Sequence, residues 1–364
     1  MATGRCSHRT MKDLVLRILA SVESITSRGR FPVIYIPKPT LRIGGPRTFM
    51  ALLVDGFRDR GMRVTSNRMV RADAAVIPIS APPEMVEAWR SRGTIIIQRL
   101  DGVFYDCVSG VFDPVRNHDT AILYRELADI VIFQSHYSRS QCSFFMGESG
   151  APKSAVILNG TDLTRFRPDV DFIPRGDGIW RMVSTGNFRD SSMIVPIVKA
   201  LDKLWEDRQD FRWSVIGPVS FPDADVFMHR PYIQHMEQSS REELAATLKK
   251  SDLFVYSFLN PNCPNSVIEA GACGLPVVGF DSGAMRELCG FNEALLAPMP
   301  NRVIHVESDL DADGLLTCIR MCLDDHAYFK ACSMVHCSEF GADRSVDAYA
   351  DVIRNGVSSR PLPT

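Results

Sequence analysis

The stretch Ser251–Leu288, SDLFVYSFLNPNCPNSVIEAGACGLPVVGFDSGAMREL, leaves this chain few options. Leu253-Phe254-Val255-Tyr256 is a short apolar run between polar residues, the pattern of a strand buried on both faces of a parallel sheet. The loop Asn260–Asn265 holds Pro264 at a point where a helix has not yet begun. Ser266–Cys273 is an apolar helix of small residues, and Gly274 stands where a left-handed cap closes it. Leu275–Phe280 is a second buried strand. Strand, loop, helix and strand make one unit of an open α/β sheet, in which ligands collect at the carboxyl ends of the strands. The loop Asn260–Asn265 occupies that position. Ser266 and the unpaired N–H groups of the helix start point into it.

Glu269 lies one turn inside that apolar helix. An unpaired charge there is expensive, so it needs a partner. Two partners fit: backbone N–H groups of a neighbouring loop, or the two hydroxyls of a ligand ribose. The segment alone leaves both open. The whole chain narrows the class. Its 364 residues suit two domains better than one. A net charge of -2 supplies no basic field for nucleic acid. The ten cysteines follow no paired spacing, which favours buried thiols in a reducing compartment over disulfides or zinc. No apolar run reaches the roughly 20 residues that span a bilayer, and no signal-peptide pattern opens the chain. The expected location is cytoplasmic.

Residues 1–30 read as a leader with one amphipathic helix, striped by Leu14, Val15, Ile18, Leu19, Val22 and Ile25 and flanked by Lys12, Arg17, Arg28 and Arg30. Such a helix either packs on the body or rests on a membrane surface, here the inner face through residues 12–30. Residues 31–168 alternate strands (Phe31–Ile36, Ala74–Ile79, Thr94–Gln98, Ile130–Ser135, Ala155–Leu158) with helices. Gly44-Gly45, between the first strand and its helix, sets N–H groups where an anion would sit. Asp101, in Arg99-Leu100-Asp101-Gly102 at a strand end, is placed either for a ligand or for an ordinary turn. His118 reads as a solvated loop residue. Residues 169–178 are a polar linker.

A second α/β domain, 179–342, restarts with the strand Trp180–Thr185 and its exit loop Gly186–Arg189. It continues through a helix Met193–Trp205, strands Phe211–Gly217 and Tyr232–His235, and a helix Arg241–Lys250. Asp223 and Asp225, and Asp309, Asp311 and Asp313, have spacings that suggest a metal. The first pair follows no clear strand, and Arg320 stands where a calcium loop needs its glutamate, so both read as solvated loops. Gly314–Tyr328 and Asp343–Asn355 read as closing helices.

Glu269-Ala270-Gly271-Ala272-Cys273-Gly274-Leu275-Pro276-Val277-Val278 resembles the nucleotide-sugar site of the GT-B glycosyltransferases, in particular the large retaining family 4. Gly283-Ala284-Met285-Arg286-Glu287 fits the Gly-x-x-Glu that follows in that family, with one extra residue in the spacer. Asn159-Gly160-Thr161-Asp162 through Phe166 and Pro168 looks like the run that closes its first domain. The resemblance covers roughly residues 31–355. It implies two Rossmann-like domains facing across a cleft: an acceptor domain (31–168, with 343–364 crossing back) and a nucleotide-sugar donor domain (179–342). It implies retaining transfer of a sugar from a nucleoside diphosphate sugar to a glycan, lipid-linked or small-molecule acceptor, as in cell-surface polysaccharide synthesis, without metal or other cofactor.

By that resemblance Glu269 grips the ribose, Gly44 and Gly45 lie against the diphosphate and acceptor, and Arg189 clamps the diphosphate. Gly186, Asn265, Ser266, Val267 and Glu287 complete the binding set, and Asp101 joins Arg189 on the catalytic side. Two positions depart from the pattern. No lysine follows Arg189 at the clamp spacing, the next being Lys199. Pro261 stands eight residues before Glu269, where the family has an acid. Both departures weaken charge handling at the reacting end, which admits a second expectation: a GT-B module that binds nucleotide sugar or glycan without turnover.

Overall fold

The computed structural model describes residues 32–37, 45–106, 109–169 and 177–358, with side chains from Thr48 in the second of these segments. The leader, Gly44 and most of the linker lie outside the described residues. Two all-parallel sheets of six strands each carry the fold. The first holds β1 (Val33–Tyr35), β2 (Arg63–Thr65), β3 (Ala74–Pro78), β4 (Ile95–Leu100), β5 (Ile130–Phe133) and β6 (Lys153–Val156), in the order β2-β1-β3-β4-β5-β6. The second holds β7 (Trp180–Thr185), β8 (Phe211–Ile216), β9 (Ile233–Met236), β10 (Leu253–Tyr256), β11 (Val277–Phe280) and β12 (Leu296–Ala297), in the order β12-β11-β10-β7-β8-β9. This is the α/β class expected from the alternation of strands and helices.

Both orders reverse direction once, which fixes where ligands can enter. A crevice opens outside the carboxyl ends of neighbouring strands whose connections leave in opposite directions. In the first sheet these are β1 and β3, and in the second β7 and β10. β10 sits in the middle of its sheet with all four residues buried. β3 gives way at Ile79, just past its end, to a φ of +63° that is unusual for a β-branched residue. Gln98 Nε2 holds the Ile79 carbonyl at 2.8 Å there.

In the first domain α1 (Gly45–Asp59), α2 (Pro83–Arg90), α3 (His118–Ile122) and α4 (His136–Met146) cover the sheet. In the second, α5 (Val195–Asp207), α6 (Ala224–Met228), α7 (Arg241–Lys249), α8 (Asn265–Ala272), α9 (Met285–Cys289), α10 (Ala312–Asp324) and α11 (His326–His336) do so. α12 (Ala342–Ser358) returns to the first sheet, where Val346, Tyr349, Ala350 and Ile353 join the core of Ile34, Phe49, Leu53 and Ile97. Trp213, Leu253 and Val278 belong to one core face of the second sheet, and Phe254, Val267 and Leu275 to the other.

Local sequence departs from these elements in three places. Residues after His118, expected as loop, form α3 and a π-helical turn, Leu123–Leu127, that buries Leu123, Tyr124 and Leu127. The single closing helix expected over Gly314–Tyr328 is broken at Asp325 (φ -123°, ψ 45°) into α10 and α11. α5 starts two residues late, behind a 3-10 turn at Ser191–Met193 that Asp190 caps.

Candidate active site between the two sheets

The exit loops of β7 and β10 meet at the reversal point of the second sheet. A Cβ on Gly186 would come within 2.6 Å of the Phe258 ring, so only glycine lets the two loops close up. Phe258 in turn packs edge-on against Phe188, ring centroids 5.5 Å apart. Arg189, two residues beyond Gly186's neighbour, is exposed and makes no ion pair among the described residues.

The β10 loop is pinned from behind. Asn260, at φ +51°, donates from Nδ2 to the His305 carbonyl (2.7 Å) and accepts from the His305 N–H (2.9 Å). The Asn260 N–H donates to Ser282 Oγ at 2.9 Å. His305 Nε2 meets the Pro300 carbonyl (2.8 Å), which can only accept, so Nε2 carries the proton and Nδ1 accepts from Ser282 (3.0 Å). Pro261 is buried; its carbonyl accepts from Ala284 N at 2.7 Å, and it packs against Gly283. The position that lacks an acid is thus a packing position.

α8 begins at this loop, and its first N–H groups differ in use. The Val267 and Ile268 N–H groups both reach the Pro264 carbonyl (3.1 and 3.2 Å). The Ser266 N–H has no acceptor among the described residues. Asn265 Oδ1 accepts from Asn159 Nδ2 across the domain boundary, at 3.0 Å. One turn in, Glu269 is 4% exposed, and Arg241 Nη1 donates to its Oε1 at 2.8 Å. Oε2 takes no hydrogen bond from the described residues and is not sealed from solvent. The Glu269 carboxyl stands above its ordinary value, because burial outweighs the opposing pull of the Arg241 charge and hydrogen bond.

The first domain faces this loop with a buried polar network. Arg99, wholly buried at the end of β4, bonds Asp101 through Nη1 and Asn159 Oδ1 through Nη2 (2.9 Å). Gln134 also donates to Asp101, and its Oε1 accepts from Asn159 Nδ2 at 2.9 Å. Asn159 reaches on to the second domain: its N–H meets Cys263 Sγ and its Nδ2 the Cys263 carbonyl, both at 3.3 Å. Gly102, at φ +104°, lies directly against the Asn262 amide, leaving no room for a Cβ. Asp101 Oδ2 and Asn262 Oδ1 are both buried without a donor. Burial pushes the Asp101 carboxyl up, against the pull of Arg99.

Glu287 is brought to α4 rather than to Glu269. Its two oxygens accept the His136 N–H (2.8 Å) and the Tyr137 N–H (2.6 Å), while Ser135 Oγ accepts from Ser138 N at 2.9 Å. One lobe therefore completes the cap of a helix in the other. Glu287→Ala is expected to cost about 0.5–2 kcal/mol, the usual worth of such a cap, read as a lower denaturant midpoint. Of the acids outside the cleft, Asp309 pairs with Arg302, Asp311 caps α10 and Asp313 pairs with Lys203. Among the described residues no three acidic, histidine or cysteine side chains gather as a metal site. No helix among them is long and apolar enough to cross a membrane. Gly45 opens α1.

The structure superposes on sucrose-phosphate synthase from Thermosynechococcus elongatus with a TM-score of 0.66 at 16% identity, over 91% of this chain and 100% of that one. It superposes on WaaG, a glycosyltransferase involved in lipopolysaccharide biosynthesis, with a TM-score of 0.62 at 11% identity, over 88% and 99% of the two chains. The fold is GT-B. A third structure, the pneumococcal O-GlcNAc transferase GtfA in complex with UDP and GlcNAc, gives a TM-score of 0.59 at 13% identity over 79% of this chain and 57% of that one. Residues 181–309 of this GT-B chain match the family described as Glycosyl transferases group 1, a span that takes in Arg189, Arg241, Glu269 and Glu287. A sequence search of curated proteins returned no match. The family match and the GT-B fold support glycosyl transfer.

Proposed function

We propose that this chain transfers a sugar, with retention at the anomeric carbon and without a metal, from a nucleoside diphosphate sugar held on the second domain to an acceptor on the first. One observation carries the reading: Glu269 offers an open oxygen in a buried setting, on the same helix whose Ser266 N–H lacks an acceptor. A carboxylate tied by one oxygen can take the vicinal hydroxyls of a ribose with the other. Ser266 N–H and Arg189 can then meet the diphosphate, whose charge grows as the sugar departs. Fixed donors aimed at that charge need no reorganisation. Asp101 Oδ2 and Asn262 Oδ1, one from each lobe, are buried acceptors without a donor, and a small shift of the lobes that opened them would let them take hydroxyls of the transferred sugar. In this reading Glu287 serves the contact between lobes. The acceptor class is a glycan or a lipid-linked or small hydroxyl compound.

Arg189→Ala is expected to lower kcat/KM for the donor by about 10- to 150-fold, the worth of a charge-assisted hydrogen bond of about 1.5–3 kcal/mol. Nucleotide release from a panel of sugar donors measures it, and an unchanged rate removes Arg189 from the clamp. A second reading has a specific basis in Pro261 and in the absence of a lysine beside Arg189. Under it the chain binds nucleotide sugar without turnover. Calorimetry that finds donor binding, beside assays that find no nucleotide release with any acceptor, would establish it.

A further inference from the structure

Arg241 opens α7, and that placement is unfavourable by itself. The amino end of a helix carries positive partial charge, so a cation there loses about 0.3–1 kcal/mol where an acid would gain it. The rest of the cap is well built: Ser240 Oγ accepts from Glu243 N, and Glu243 reaches back to the Ser240 N–H at 2.8 Å. Arg241 is therefore kept for something other than helix stability. Its guanidinium lies over the Phe166 ring, 4.6 Å from the centroid, and gives Nη1 to Glu269. Phe166 is fully buried, so the stack fixes the plane of the guanidinium. About a third of the Arg241 side chain stays exposed, against 5% for Glu269.

We infer that Arg241 is the positioning residue of the donor site: held flat on Phe166, it anchors Oε1 of Glu269 and so leaves Oε2 for the hydroxyls of the nucleotide ribose. The inference rests on the ribose reading given above and adds the residue that makes it workable. A neutral carboxylic acid would offer a hydroxyl proton where the ribose needs an acceptor. Burial drives Glu269 towards that neutral form, and Arg241 is the one cation touching it among the described residues. The other charged groups on the packed elements make no hydrogen bond or ion pair with Glu269 among the described residues. Glu242 of α7 pairs with Arg165 at 3.1 Å. Lys249 of α7 and Lys330 of α11 act on Cys273, whose thiol burial pushes up to about 12. Glu339, in the turn packed on α8, pairs with His336.

The test titrates the full chain and its variants with UDP, GDP and ADP by calorimetry between pH 5 and pH 9. In the wild type the affinity for the preferred nucleotide falls only towards the acid end, where Glu269 takes a proton. In Arg241→Met, and in Arg241→Gln, which keeps a donor but no charge, the carboxyl is left to its burial. The midpoint of that fall then moves up by about one pH unit, so affinity at the wild-type midpoint drops about fivefold. Arg241→Lys restores the wild-type midpoint. A wild-type profile in both uncharged variants overturns the inference, while weakened binding in Glu269→Gln would keep the ribose reading standing. Unchanged nucleotide affinity in Glu269→Gln removes that reading and this inference with it.

Discussion

Glu269→Ala is expected to lower kcat/KM for the sugar donor by about 10²- to 10⁴-fold, the largest single effect on activity in the molecule. The estimate follows from two hydroxyl groups bonded to one carboxylate, each worth about 1.5–3 kcal/mol when the acceptor is charged. The loss should sit mainly in KM, because the ribose is held alike in the ground state and the transition state. Alanine also leaves Arg241 without its carboxylate, but that guanidinium is partly exposed and water can solvate it. Glu269→Gln separates the two consequences: it keeps the shape, removes the charge, and should retain little more activity than alanine. Steady-state nucleotide release against donor concentration measures both. A KM within twofold of the wild type in the alanine variant would end the ribose reading.

The second large effect concerns stability. Arg99→Met is expected to cost about 3–5 kcal/mol, because it strips a buried ion pair of one partner. Asp101 would keep only Gln134, and Asn159 Oδ1 would lose its donor. The methionine can replace the aliphatic stem and part of the contact with Phe49, over which the guanidinium lies at 4.9 Å, but none of the hydrogen bonds. Denaturant unfolding followed through Trp89 in the first domain and Trp180, Trp205 and Trp213 in the second would show which lobe loses stability. The double variant Arg99→Met/Asp101→Asn should recover part of the loss, since no charge is then stranded. A midpoint shift confined to the second lobe would contradict this account.

The sequence makes the fold legible where local chemistry and packing agree. The apolar run of β10, Pro264 just before α8, and Gly274 at φ +69° all occupy the conformations their residue types favour. It misleads where packing overrides local signals. Leu123 and Tyr124 bury themselves through a π-helical turn that no spacing rule announces. The break at Asp325 has no glycine or proline to mark it, because apolar residues run on through Leu323 and Phe329 with near-helical spacing. At the site, Arg189 and Glu269 are visible through pattern. Arg241 is 28 residues from its partner, so the ion pair exists only in three dimensions. One local sign was available: a cation in the first turn of an amphipathic helix, where acids belong. Arg99 likewise shows its role only once Asn159, 60 residues on, is beside it.

The carboxylate that joins the two lobes at α4 gives any hinge motion a spectroscopic handle. When the lobes part, the His136 and Tyr137 amides lose their acceptor to solvent together, while the Ser138 amide keeps the hydroxyl of Ser135. Deuterium uptake at those two positions, compared with the third as an internal clock, would therefore count openings of the cleft with no label attached to the protein.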